Sequence, residues 1–140
     1  MESWQYQFRN LMTDGELCFD GEDYEAERLL FQDASKLIPD PKRDHEEATQ
    51  AIGAIADCFY KLRECAKAQA ALNDILLCPG GASNPFIRLR RGQVFHQLGD
   101  PEKARTGLTT AFLNGGSEVF DGETEYLELI SDVVSQLGRE

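Results

Sequence analysis

Apolar residues along this chain return every three or four positions. Ala48, Ala51, Ile52, Ile55, Phe59 and Leu62 lay one such stripe over residues 44–61, the signature of a helix with one buried face. Tyr126, Leu127, Ile130, Val133, Val134 and Leu137 lay another, backed by Glu125, Glu128 and Asp132. The period predicts helices at about 3–19, 23–37, 44–61, 64–77, 85–98 and 101–113, and a last one near 124–137. No stretch of strand period stands between them, so the expected fold class is all-α.

Punctuation residues sharpen these boundaries. Asn84-Pro85 and Asp100-Pro101 each place a capping side chain before a proline whose missing N–H costs nothing in a first helical turn. Asp44 with Glu47 predicts an acidic capping box. Gly99 supplies the left-handed residue that ends one helix, and Gly92 lets the following helix pack closely. Pro39-Asp40-Pro41 and Pro79-Gly80-Gly81 read as breaks.

Residues 91–104 therefore spell a helix, a tight turn and a second helix, with small residues where the pair must touch. Gly92, Phe95, Gly99, Ala104 and Ala111 stand at the offsets of one unit of the tetratricopeptide repeat, which the segment resembles. Two further units echo it. One runs through Gly21-Glu22-Asp23-Tyr24-Glu25-Ala26, and the other through Ile55, Phe59, Ala68 and Leu72, where the turn Arg63-Glu64-Cys65 lacks its glycine. The anchor alanines Ala26, Ala68 and Ala104 are 42 and 36 residues apart, against roughly 34 in the ideal repeat. The resemblance implies one domain over 1–140. It would hold three helical hairpins (about 3–39, 44–79 and 84–116) stacked as a short right-handed solenoid, with a capping helix at about 124–137.

Net charge is −11 and unevenly placed. Residues 14–27 hold seven acids and no Lys or Arg, and the tail is acidic too, whereas residues 61–105 hold eight bases against four acids. Phosphate would be repelled by most of this surface, so nucleic acid is not an expected partner. No apolar run is long enough to cross a bilayer, and the first residues lack the pattern of a secretory signal. Cys18, Cys58, Cys65 and Cys78 form no CxxC pair and lie in apolar-periodic stretches, as reduced cysteines in a cytoplasmic protein would.

Catalytic chemistry finds little to stand on. Of the two histidines, His45 opens a helix beside Glu46 and Glu47, and no nucleophile can be placed beside His96. There is no phosphate-cradling glycine loop and no metal-ligand spacing. The expectation is a non-enzyme with no catalytic residues, no metal and no cofactor.

In the family the sequence resembles, the first helix of each hairpin lines a groove that grips a polypeptide. That implies groove contacts from Phe8, Leu11 and Phe19, then Asp57, Tyr60 and Lys61, then Phe86, Arg90, Gln93 and His96. Arg90 is the candidate fork for a partner's carboxylate. A narrower likeness covers Asn84–Gln93, Ala111–Gly116 and Glu118–Phe120. Those stretches are similar to small bacterial repeat proteins encoded beside secreted polymorphic toxins. That likeness implies an immunity, antitoxin or adaptor role against a basic toxin or effector, to which the acidic charge is complementary. The alternative is a secretion-system chaperone holding an apolar segment of an effector. A homodimer is a further candidate assembly.

Overall fold

The computed structural model describes residues 2–137, except for the side chain of Phe19. Among the described residues there are eight α-helices, two short 3-10 helices and no strand. The all-α expectation holds. The chain forms two compact units, one ending at Ala82 and the other starting at Ser83, within the Pro-Gly-rich break that the sequence marks.

The first unit contains α1 (Ser3–Asp20), α2 (Tyr24–Lys36), α3 (Glu46–Lys61) and α4 (Cys65–Ile75), with a 3-10 helix at Lys42–Asp44. Helices α1 and α2 pair, α3 and α4 pair, and α2 packs on α3. Its core joins Phe8, Ala34, Ile38, Ala48, Ala51 and Cys78, with Trp4, Leu11, Met12 and Ile52 packed around them. The second unit contains α5 (Pro85–Gln97), α6 (Pro101–Gly115), a 3-10 helix at Ser117–Phe120, α7 (Thr124–Glu128) and α8 (Ser131–Leu137). Here Leu89, Leu108 and Ala111 of the α5–α6 hairpin bury Val119, Phe120, Tyr126 and Ile130 of the C-terminal segment. Among the described residues no helix is long and apolar enough to cross a membrane.

Two of the expected caps form as read. Asn84 accepts hydrogen bonds from the N–H groups of Phe86 and Ile87 at 2.9 and 3.2 Å, and Asp100 accepts from Lys103 N at 3.2 Å. The Asp44–Glu47 box does not form. Asp44 is itself inside the 3-10 helix, His45 takes the N-cap position without a side-chain bond, and Glu47 accepts instead from Gln5 Nε2 at 3.3 Å. The single C-terminal helix is also broken, into α7 and α8, at Leu129-Ile130. Tyr126 before the break and Ile130 at it are both buried against the α5–α6 hairpin.

The three hairpins turn alike. Asp23, Glu64 and Asp100 each donate their N–H back to Cys18, Phe59 and Phe95 at 3.0, 2.8 and 2.9 Å. The residue before each is left-handed: Glu22 (φ 59°), Arg63 (φ 62°) and Gly99 (φ 79°). This shifts the sequence register of the first hairpin by one. Gly21 is not the left-handed residue, and four positions beyond the N-cap stands Glu27, not Ala26. The corresponding residues are Ala68 and Ala104, and all three make the same first-turn bond, to Asp23, Glu64 and Asp100.

Candidate functional site

In the second unit, Phe86, Arg90 and Gln93 follow one another along α5 at helical spacing. Asn84 and Pro85 fix where that helix begins, and so fix the line on which the three residues stand. Phe86 is 65 % exposed, a large apolar ring with little covering it. Gln93, expected at a contact face, is only 1 % exposed and is therefore interior. Its carbonyl oxygen accepts from Arg90 Nη1 at 2.9 Å, and its amide donates to Glu123 Oε2 at 2.8 Å. Gln93 thus joins Arg90 to the acidic C-terminal segment. His96 is exposed and stands edge-on to Tyr126, ring centroids 5.8 Å apart.

Arginine and lysine surround Phe95. The Arg91 guanidinium lies 4.8 Å and Lys103 Nζ 5.4 Å from the ring centroid, and burial, then the charge of Arg88, pulls the Arg91 pKa down from its ordinary value. The first unit repeats the arrangement around Phe59, with Arg28 at 5.6 Å and Lys67 at 5.8 Å. Such stacking binds cation and ring together by about 0.5–2 kcal/mol and steadies the long side chains over each hairpin.

The first-unit candidates are dispersed. Phe8 is 3 % exposed and belongs to the core, so it offers a partner no surface; the α1 stripe that includes it faces α2 and α3. Leu11 is half-buried against the same core. Asp57 and Tyr60 are half-buried on α3, and Lys61 is exposed at its end. The Phe19 side chain lies outside the described residues.

Cys58 is buried on α3. Burial above all, then the charge and hydrogen bond of Glu27, push its thiol well above the ordinary range. A cysteine held as thiol in this way is a poor nucleophile. Cys78 is also buried and bonds the Asp74 carbonyl at 3.6 Å. Among the described residues no group of three or more His, Cys, Asp or Glu is arranged to hold a metal ion.

Sequence reasoning missed Glu123 and Tyr126, the two C-terminal residues that meet Gln93 and His96. Their partners lie 30 residues away in sequence, and a helical stripe in α5 carries no signal for them. A comparison of the chain with protein-family models and with curated proteins finds no match.

Proposed function

We propose that this chain is a non-catalytic, protein-binding module of the tetratricopeptide type, and that it takes a partner with a basic surface in an immunity, antitoxin or adaptor role. The observation that carries the reading is the exposed Phe86 ring, one helical turn from Arg90, on a chain of net charge −11. Aromatic and arginine side chains are the usual anchors of protein interfaces. The net negative charge of the whole chain speeds encounter with a basic partner and disfavours acidic ones. The common turn geometry of the three hairpins supports the repeat assignment.

The test is titration of the purified chain with the purified product of the neighbouring reading frame. A stoichiometric complex is expected, weakening as salt rises, and weakened further by Phe86→Ala and Arg90→Ala. Absence of binding, or binding indifferent to both salt and Phe86, would refute the proposal. The chaperone alternative rests on apolar groove contacts that include Phe8, and the burial of Phe8 gives it no support.

A further inference from the structure

Glu27 is a carboxylic acid built into a helix contact. It is 3 % exposed, one turn before Phe31 on the stripe Glu27, Phe31, Ala34 that α2 buries. Phe31 in turn fills the space beside Gly15 of α1, where a Cβ would stand 2.5 Å from the ring. The corresponding residues of the other two hairpins are Ala68 and Ala104, both buried. A charge-bearing group therefore occupies a position at which this chain elsewhere uses a methyl.

Its partners do not compensate that charge. The Cys58 thiol of α3 donates one hydrogen bond to it, and its other oxygen, Oε2, accepts none. The charged groups around it are Glu16 on α1, Asp57 on α3 and Arg28 beside it on α2. Two of these three are acids. Arg28 is engaged through its terminal nitrogens by Glu25 and Gln32 and lies over the Phe59 ring, while its Nε, like Glu27 Oε2, is buried without a hydrogen-bond partner.

We propose that Glu27 is an acid-operated latch: protonated, it closes the α1–α2 hairpin onto α3, and ionised, it loosens that contact. An ionised carboxylate with one bare oxygen in this setting is expensive, whereas the neutral acid is tolerated. Burial first, then the charges of Asp57 and Glu16, raise its pKa above the ordinary 4.5, against the lowering hydrogen bond of Cys58. The sign follows. The folded state binds this proton more tightly than the unfolded chain, so the stability it contributes is full below about pH 4.5 and is lost as pH rises through the folded value. The device needs no partner, so it stands or falls apart from the binding role.

Urea unfolding of the wild type and of Glu27→Gln, at about pH 5 and about pH 8, tests it. The fluorescence of Trp4 reports the state of α1, since its ring sits 6.4 Å from Phe8 and 5.4 Å from His45. The gap in unfolding midpoint should widen toward high pH, with Glu27→Gln the more resistant, and a gap of constant size would overturn the proposal. A carboxyl-carbon NMR titration of the wild type decides the same question without any variant. A Glu27 midpoint above the ordinary value, accompanied by a falling amide protection factor in α2 (exchange corrected for its intrinsic pH dependence) as it ionises, is expected. A midpoint at or below the ordinary value would overturn it.

Discussion

Gly92 and Gly107 meet backbone to backbone: a Cβ on Gly107 would stand 2.9 Å from both Cα and N of Gly92 and 3.1 Å from Arg88 O. All three atoms are main chain, so α5 and α6 cannot yield without separating. A Cβ on Gly92 is as crowded, with Leu108 N at 2.9 Å. Overpacking of this kind costs roughly 1–3 kcal/mol, against at most about 1 kcal/mol of helix propensity gained by replacing glycine. Gly107→Ala is therefore expected to lower the urea midpoint, and Gly92→Leu to unfold the hairpin. Gly53→Ala is the control. Its methyl meets only the end of the Ile75 side chain, at 3.3 Å, and should be neutral or stabilising. Equal effects at Gly53 and Gly107 would contradict this account of the α5–α6 contact.

The shared turn supplies a second expectation. Arg63 holds φ 62° where the third hairpin uses Gly99 at φ 79°. A side-chain-bearing residue in the left-handed region costs about 1–2 kcal/mol, and glycine gives back part of the gain through its unfolded-state entropy. Arg63→Gly should therefore stabilise by roughly 0.5–1 kcal/mol, and Gly99→Ala should destabilise by a similar amount. Thermal or urea unfolding of the two variants checks both signs at once.

These turns also show how far the sequence was legible. Gly99-Asp100-Pro101 admits one reading, because glycine, cap and proline agree. Gly21-Glu22-Asp23 admits two, and Gly21 with Ala26 repeats the spacing of Gly99 with Ala104. Asp23 settles it: its side chain accepts from Ala26 N at 3.1 Å, which makes Asp23 the cap and Glu22 the left-handed residue. A glutamate then falls on the buried position, which no periodicity argument would choose. In α1, Phe8 and Leu11 were expected on one contact stripe. A stripe does not say whether it faces its own core or a partner, and here it faces the core. The role of Gly107 was hidden because helical small residues look alike until the crossing point is known.

Phe8 and Phe86 should separate folding from binding. Phe8 is buried and Phe86 is not. Phe8→Ala removes a packed ring and is expected to cost about 3–5 kcal/mol. Phe86→Ala should change stability by no more than about 0.5 kcal/mol while weakening the partner complex. Parallel urea unfolding and binding titration give both numbers. A Phe86→Ala variant that binds as the wild type does would remove Phe86 from the interface.

Arg105 on α6 and Asp132 on α8 form a two-pronged ion pair, both groups exposed. The hydrogen bonds of Arg105 are the chief cause holding the Asp132 carboxyl below its ordinary value, and Asp132 in turn raises Arg105. A depressed carboxyl favours the folded state above its unfolded pKa, about 3.9 for aspartate, and that contribution is lost as pH falls through the folded value. Solvent and salt screen an exposed pair, so its effect is local and small. The measurable consequence is a lower amide protection factor, with exchange corrected for its intrinsic pH dependence, over Ser131–Leu137 in acid than at neutral pH. Asp132→Asn should show the lower protection factor even at neutral pH and lose its dependence on acid. Raising the salt concentration should move the wild type toward the variant. If wild type and Asp132→Asn respond identically to acid, the pair contributes nothing to holding α8.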